Sequence, residues 1–281
     1  MTVQRKNTDL IGLDVVQIPE WTRYSWLRHG FSTRAGGVST VYSDSAGGGE
    51  LNLGWTQDDD PAMVAENRRR LVAEMGDDLR LVTIRQVHGA AVRTVGAEAF
   101  QGQLETSEGK AVLEGDGLMT RTPGVLLGIQ TADCVPVLIV DVRQRVVAAL
   151  HAGWRGTVAR IAEDGVAAMR SQFGSLPDDL VAAVGPSIGA CCYGVGDEVR
   201  GKFGDAFEYS GELFGGDTGL QLDLWEANRR QLLSAGVAEG KIFVVGECTA
   251  CARNADGGRR YFSHRDEKGF TGRMLSVVGV A

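Results

Sequence analysis

The chain has 281 residues, enough to bury a substantial core, and 36 acidic against 29 basic side chains give it a net charge of −7. This excess of negative charge excludes the broad basic surface with which proteins hold nucleic acid or anionic membranes. Residues 1–16 are polar and charged, and no run approaches the roughly 18 apolar residues of a membrane span. We therefore expect a cytoplasmic protein, monomer or homodimer, without nucleic-acid or membrane partners.

Hydrophobic periodicity predicts both helices and strands along the chain. Apolar residues at three- and four-residue steps indicate helices over residues 61–75, 158–173 and 224–235. Runs rich in Val, Ile and Leu indicate strands over residues 81–87, 125–129, 135–140, 145–150, 180–184 and 242–245. The mixture predicts an α/β (mixed α+β) fold with helices packed on a mixed β-sheet.

Domain organisation follows from the lack of a linker. No segment rich in Pro, Gly and Ser separates two halves of the chain. We expect one domain over residues 1–281, with residues 1–20 as an N-terminal extension or edge. The glycine-rich stretch 46–49 is too short for a linker and is typical of a mobile loop, which we expect near the site.

One predicted β-hairpin places a cysteine close to a histidine at its open end. Apolar runs at 135–141 and 145–150 indicate its two strands, and residues 142–143 could form a two-residue turn. In that register Cys134 lies opposite His151, about 5 Å apart. A thiolate beside an imidazole indicates either a metal site or a nucleophile.

A third candidate ligand is His88, which closes the predicted strand 81–87. Catalytic zinc takes three N or S ligands and leaves one position open, whereas structural zinc closes with four, usually at short C-x-x-C or H-x-x-x-H spacings. His88, Cys134 and His151 are widely spaced and so favour an open site. Spacing alone is equally compatible with a packing cysteine and two structural histidines.

Two aspartates and two arginines are further candidates. Asp116 and Asp133 could orient a ligand histidine or protonate a leaving group, although Asp116 is equally typical of a solvated turn. Arg155 lies in a glycine-flanked turn just before the predicted helix 158–173, where N–H groups and a guanidinium favour phosphate. Arg34 is similarly flanked by glycine. Alternatively, the glycines only shape turns and Arg155 pairs with a surface carboxylate.

The remaining cysteines offer a weaker signal. Five cysteines without a signal peptide favour reduced thiols. Cys248 and Cys251 have C-x-x-C spacing, but they follow a strand and enter a polar loop, so a redox or second metal site is the less favoured interpretation. Cys191 and Cys192 are predicted to pack beside a glycine-rich turn.

Several short motifs occur in the order seen in one family. They include Gln86-Val87-His88-Gly89, Thr131-Ala132-Asp133-Cys134, His151-Ala152-Gly153-Trp154-Arg155-Gly156 and Thr271-Gly272-Arg273-Met274, with further matches at 29–34, 36–39, 51–54, 115–117, 185–189 and 248–249. From about residue 29 to 274 the chain resembles the laccase-domain proteins. These are also called multicopper polyphenol oxidoreductases or peptidoglycan editing factors, and they include zinc-dependent purine nucleoside phosphorylases.

The resemblance implies a fold, a cofactor and a reaction. The fold would be a single-domain sandwich of the cytotoxic necrotizing factor-like cysteine hydrolase type. Zinc would be ligated by His88, Cys134 and His151, and would position phosphate or activate a water. The reaction would be phosphorolysis of adenosine, inosine or methylthioadenosine, with adenosine deamination as a second activity. Four residues would contact substrate or phosphate: Arg34, Asn52, Arg155 and Arg273.

Two features test that resemblance. The chain has His264 where the family usually has Tyr, which puts any stacking or hydroxyl role there in doubt; an exposed or packing histidine is favoured over a fourth metal ligand. With four histidines and no H-x-H motif, the chain lacks the ligands of a multicopper oxidase. Copper is therefore expected only as an adventitious occupant of the zinc site.

Two alternatives from other classes remain open. A cysteine hydrolase or editing factor acting on peptidoglycan precursors would use Cys134 as nucleophile and His151 as base. Its activity would survive chelation and be lost on thiol alkylation. A zinc-stabilised module without activity would unfold on chelation.

Overall fold

The computed structural model describes residues 12–43, 49–217 and 220–281. All but Gly49 of the predicted mobile loop 46–49 lies outside the described residues. The described part contains five α-helices: α1 Pro61–Met75, α2 Trp154–Val158, α3 Ile161–Phe173, α4 Asp197–Ala206 and α5 Leu224–Ser234. None of these helices is long and apolar enough to cross a membrane.

The described strands, apart from Ala35–Ser39 (β3), form two large sheets and a small hairpin. In chain order they are β1 Val15–Val16, β2 Leu27–Ser32, β3 Ala35–Ser39, β4 Arg80–Thr83, β5 Val92–Thr94, β6 Gly117–Thr120, β7 Val125–Thr131, β8 Val135–Asp141, β9 Val146–Ala152, β10 Leu180–Val184, β11 Phe214–Gly215, β12 Gln221–Leu222, β13 Ile242–Val244 and β14 Met274–Val280. The first sheet has the order β1-β2-β14-β7-β4 and the second β13-β10-β8-β9-β6-β5, while β11 pairs with β12.

Both large sheets are mixed. Their pairs are antiparallel except β4 with β7, β10 with β13 and β5 with β6, which are parallel. The expected mixed α+β class is confirmed, although the sequence predicted one sheet and the chain forms two.

The main core lies between the two sheets. Side chains alternate along a strand, so Leu138 and Val140 of β8 join Leu127 of β7 in the core between the sheets. Val137 and Ile139 of β8 face the opposite way, towards α3 and α5. Helix α1 covers the outer face of the first sheet. A core shared by both sheets supports the proposal of one domain, with β1 at its edge.

Helix α1 has the bounds that the sequence predicts because both of its ends carry local signals. The side chain of Asp60 accepts a hydrogen bond from the backbone N–H of Ala62, and Pro61 occupies the first helical position. Gly76, with a φ of 142°, ends the helix. Such caps make helix bounds readable from the sequence alone.

The predicted helix 158–173 corresponds to α3, Ile161–Phe173, but its predicted start is three residues too early, because the chain breaks between α2 and α3. Arg160 at the break has a left-handed φ of 63°. Gln231 of α5 supplies hydrogen bonds that a continuous helix would make internally. Its amide donates to the carbonyl of Thr157 at 2.7 Å and accepts from the N–H of Ala162 at 3.3 Å.

The predicted register of the β8–β9 hairpin is also wrong. Pro136, not Cys134, pairs with His151, and the connecting loop has four residues, 142–145. The longer loop is stabilised by Asp141, whose carboxylate accepts two backbone N–H bonds from it. Cys134 lies just before β8 and remains a neighbour of His151.

Candidate metal centre

The structure brings His88, Cys134 and His151 together from three separate segments. His88 lies in the loop after β4, Cys134 in the loop between β7 and β8, and His151 in β9. One ligand atom from each, nitrogen or Sγ, lies within 4.8 Å of the other two. His151 is buried and His88 is exposed, so the cluster opens towards solvent on one side.

Asp116 fixes two of these residues from behind. Its Oδ1 lies 2.9 Å from Nδ1 of His151 and accepts the backbone N–H of His88, also at 2.9 Å. Its Oδ2 accepts the N–H of Gly89 at 2.6 Å. The carboxylate is fully buried. Because Nδ1 of His151 is engaged, Nε2 is the nitrogen available to a metal or to Cys134.

Charge is strongly coupled within the cluster. Burial acts to raise the pKa of the Cys134 thiol, but the charge and hydrogen bonds of His151 and His88 outweigh burial and lower that pKa to about 6. Burial acts to lower the pKa of His151, whereas Cys134 and Asp116 raise it to about 9. Cys134 is therefore held as a thiolate, the form that binds metals and attacks electrophiles.

Gly153 makes room for this arrangement. A Cβ at that position would lie 2.9 Å from Sγ of Cys134 and 3.3 Å from Cδ2 of His88. Any side chain would therefore push two candidate ligands apart. The sequence indicated either an anion-binding helix start or a simple turn here, and the structure adds a packing reason for glycine.

Asp133 ties three loops together beside Cys134. Its Oδ1 accepts hydrogen bonds from the hydroxyls of Thr249 and Ser263, each at 2.7 Å. Its Oδ2 accepts the backbone N–H of Arg265 at 2.7 Å. The residue has a left-handed φ of 88°. Both carboxylate oxygens are thus engaged in holding the loops around the cluster.

A cavity of about 580 Å³ opens over the three candidate ligands. This volume is in the range of small-molecule sites. Its walls include Gln130, Tyr193, His264, Arg265 and Arg273. His264 therefore faces the cavity as an exposed residue, but it is not part of the cluster of candidate ligands.

A larger cavity of about 1060 Å³ lies between α1 and the loop at 105–110. It is lined by Arg68 and Trp55 among others, and it contains none of the three candidate ligands. We place the chemistry in the smaller cavity because the thiolate of Cys134 and the imidazoles of His88 and His151 line it.

Of the predicted phosphate ligands, Arg273 alone lines the cavity with the metal cluster. Its Nη1 donates to the carbonyls of Thr271 and Gly272, and its other guanidinium nitrogens have no partner among the described residues. Arg155 is exposed and stacks on Trp154 at 4.2 Å, outside the cavity lining.

Arg34 and Asn52 are buried in the fold instead. The guanidinium of Arg34 pairs with Glu50 at 2.7 Å and Glu267 at 3.2 Å, so its charge is already balanced. Asn52 donates to Asp59 at 2.7 Å and accepts the backbone N–H of Arg273 at 2.9 Å. The structure therefore does not bring either side chain to the cavity.

Tyr193 and Gln130 are among the residues of the cavity wall that were not predicted from the sequence. Tyr193 follows Cys192 in a loop and carries no motif of its own. Gln130 is held by Gln86, whose side-chain amide makes two hydrogen bonds to its backbone, at 2.7 and 2.8 Å. The first residue of the Gln86-Val87-His88-Gly89 motif thus anchors the His88 loop to β7, which the motif alone could not reveal.

The chain is similar in sequence to known proteins of one family. The purine nucleoside phosphorylase YlmD of Geobacillus stearothermophilus is 38% identical over 263 residues, covering 90% of this chain and 94% of the relative. The adenosine deaminase RL5, from an unknown prokaryotic organism, is 39% identical over 219 residues, with 76% and 82% coverage.

The fold is shared as well. The crystal structure of the Bacillus licheniformis hypothetical protein YfiH superposes with a TM-score of 0.83 at 33% identity, covering 97% of this chain and 98% of the other. Residues 28–281 match the family described as multi-copper polyphenol oxidoreductase laccase. The chain belongs to that laccase-like family, whose curated relatives include enzymes named purine nucleoside phosphorylase.

Proposed function

We propose that this protein is a zinc-dependent purine nucleoside phosphorylase. It would cleave the N-glycosidic bond of adenosine, inosine or methylthioadenosine with phosphate, releasing the base together with ribose 1-phosphate or, from methylthioadenosine, 5-methylthioribose 1-phosphate. The observation that carries the proposal is the cavity, in which a thiolate, two imidazoles and the guanidinium of Arg273 meet. The similarity to a relative named purine nucleoside phosphorylase supports the same reaction.

The residues present fit a zinc ion. Two imidazoles and one thiolate form a donor set that suits this borderline-soft cation, and three protein ligands leave one position open. His88, Cys134 and His151 would hold the metal, which would supply a Lewis acid at the floor of the cavity. Copper(II) binds such sites more tightly than zinc and would be an adventitious occupant.

The chain's own side chains would bind and orient the substrates. Arg273 would hold the phosphate through its unpartnered nitrogens. The ring of Tyr193 offers a face for the purine base. The imidazole of His264, exposed on the wall, would donate a proton to the leaving base.

The two aspartates have a different role in this proposal. Burial acts to raise the pKa of Asp116, but His151 and the backbone N–H groups of Gly89 and His88 lower it overall, so the carboxyl is not a proton donor at neutral pH. The carboxylate of Asp133 is engaged by three donors. We therefore assign both to positioning rather than proton transfer.

Phosphate dependence tests the proposal. With adenosine or inosine, removal of phosphate should abolish base release, and a chelator should do the same. The variant Arg273→Gln should keep its zinc. The phosphate concentration that it needs for half-maximal activity should rise at least about tenfold, because a charge-assisted hydrogen bond of about 1.5–3 kcal/mol is lost. The matched control Arg155→Gln, outside the cavity lining, should change the requirement much less. Equal base release without phosphate would refute phosphorolysis.

Two other activities have specific support. The relative named adenosine deaminase favours release of ammonia from adenosine as a second activity, seen as inosine in the products. The thiolate and imidazole of Cys134 and His151 would also serve a cysteine hydrolase acting on a peptidoglycan precursor. Turnover that survives chelation but is lost on thiol alkylation would favour that alternative.

Two further expectations from the sequence stay predictions. They are the more detailed fold type, that of the cytotoxic necrotizing factor-like hydrolases, and the cytoplasmic location.

A further inference from the structure

A second cluster of metal-binding side chains lies outside the cavity. It contains four cysteines, which the sequence distributes over two distant segments: Cys191, Cys192, Cys248 and Cys251. All four Sγ atoms lie within 4.8 Å of one another. From the sequence, Cys191 and Cys192 are predicted to pack beside a turn and the C-x-x-C pair is a weak candidate, so only the fold reveals that the four cysteines meet.

The sheet explains why these segments meet. Strands β10 and β13 are parallel neighbours, so their carboxyl ends lie at the same edge of the second sheet. The pairing continues past the strands in a bridge between Ser187 and Cys248. The turn after β10 carries the first two cysteines, and the turn after β13 carries the other two. The two pairs of cysteines are far apart in the sequence, so their spacing does not predict that they meet.

The distances suit a shared metal ion better than a disulfide. Four sulfurs at about 2.3 Å from a tetrahedral zinc lie about 3.8 Å apart. The Sγ atoms of Cys191 and Cys251 are 3.7 Å apart. A disulfide would need about 2.05 Å. The short C-x-x-C spacing of the second pair is also the spacing of structural zinc sites.

Backbone donors surround the most buried of the four sulfurs. The N–H of Gly189 lies 3.2 Å from Sγ of Cys248, and the N–H groups of Ala250 and Cys251 donate to the same sulfur. N–H groups directed at sulfur favour the thiolate and orient it for a metal. Ile188 packs against Cys248 on the apolar side. Cys248 is thus buried on one side of the cluster, whereas Cys191 and Cys251 on the other side are exposed, so a metal ion can enter from solvent.

We propose that Cys191, Cys192, Cys248 and Cys251 form a closed tetrathiolate zinc site, separate from the metal centre at His88. Four sulfur ligands leave no position for a substrate, so the role is structural. The site joins the turn that precedes Tyr193, a residue of the cavity wall, to the turn that carries Thr249, which donates to the cavity-lining Asp133.

That location links the second site to the first. Thr249, between the two cysteines of the C-x-x-C pair, donates to Asp133 at 2.7 Å. Tyr193, next to Cys192, lines the cavity. Loss of the structural metal should therefore loosen a wall of the cavity without removing any ligand of the His88 centre.

Metal analysis of the full chain, purified under reducing conditions with zinc supplied, tests this inference. We expect about two zinc ions per chain in the wild type, against one in a protein that has only the His88 centre. The double variant Cys248→Ser/Cys251→Ser should keep one, and Cys134→Ser should keep the other. The two variants lose different ions, so failure of one assignment does not imply failure of the other.

Cobalt substitution of the wild type keeps the test independent of the variants' folding. Sulfur-to-cobalt charge-transfer absorption scales with the number of thiolate ligands. The wild type would have five, against one in a protein that holds cobalt only at the His88 centre, so its absorption should be about fivefold that of a single cobalt–thiolate bond. A wild type with one metal per chain and four cysteines open to a thiol reagent would overturn the proposal. A Cys191–Cys251 disulfide, or iron or copper in place of zinc, would also overturn it.

Discussion

At the scale of single residues, the carboxylate of Asp116 does more than its sequence context indicates. The sequence placed it between a catalytic role and a solvated turn. In the structure it is fully buried and binds Nδ1 of His151 together with backbone N–H groups of the His88 loop. One side chain therefore positions two of the three candidate ligands.

Replacing Asp116 should weaken metal binding. In the wild type, the donors from His151, His88 and Gly89 share two carboxylate oxygens. The amide of Asp116→Asn offers them a single oxygen, so both histidines should lose orientation. We expect zinc affinity to fall about 10- to 100-fold. Competition with a chromophoric chelator measures this. The control is Asp141→Asn, since Asp141 is equally buried but holds only the hairpin loop. Equal zinc affinity in wild type and Asp116→Asn would contradict the positioning role.

Arg34 is the residue at which sequence and structure diverge most. Glycine neighbours suggested a phosphate ligand, but the side chain is 3% exposed and pairs with Glu50 and Glu267. The sequence could not reveal this because Glu267 lies more than two hundred residues away and meets Arg34 only in the folded chain.

The variant Arg34→Met should unfold more easily rather than lose phosphate binding. It leaves the carboxylates of Glu50 and Glu267 without their guanidinium, and breaking such a buried pair typically costs about 3–5 kcal/mol. Urea unfolding of Arg34→Met against Arg69→Met, whose side chain is 65% exposed, measures the difference. If both variants had wild-type midpoints, the buried ion pairs would have no role in stability.

At the scale of elements, the sequence predicts well where hydrophobic pattern and caps agree. The bounds of α1 and β10 match the prediction. Strand β2 was missed because it contains His29 and other polar residues that tertiary contacts bury. Strand β14 was missed although its sequence is strongly apolar. Periodicity also continues through Arg160, where the helix breaks, because the compensating bonds come from Gln231 of a distant helix.

His29 in β2 makes stability depend on pH. Burial lowers the pKa of His29 to about 4, and its Nε2 accepts the backbone N–H of Ile18. The unfolded chain takes up a proton near pH 6.5 and the folded chain only near pH 4, so the stabilisation is complete above pH 6.5 and is lost as the pH falls towards 4. We expect a loss of about 2 kcal/mol between pH 7.5 and 5 from this residue.

The variant His29→Gln isolates that effect. Glutamine can still accept the N–H of Ile18 but does not titrate, so the fall in unfolding free energy between pH 7.5 and 5 should shrink by about 2 kcal/mol. Urea unfolding at the two pH values measures it. An unchanged pH dependence in His29→Gln would show that His29 is not the titrating group.

At the scale of the whole molecule, the site lies where loops from both sheets converge. His88 and Arg273 come from segments adjoining the first sheet, whereas Cys134 and His151 adjoin the second. Motif order and ligand chemistry were enough to predict the three candidate ligands. The place of Tyr193 in the cavity wall could not be predicted, because a sheet edge that brings four distant cysteines together puts it there.

The proposed function is the transfer of ribose from a purine nucleoside to phosphate in this cavity. Phosphorus-31 NMR of the zinc-loaded protein with inosine and phosphate tests it most directly. We predict a new ribose 1-phosphate resonance that grows in equal amount with the free base, and that is lost in Cys134→Ser. Base released together with free ribose, and no new phosphorus resonance, would contradict the claim.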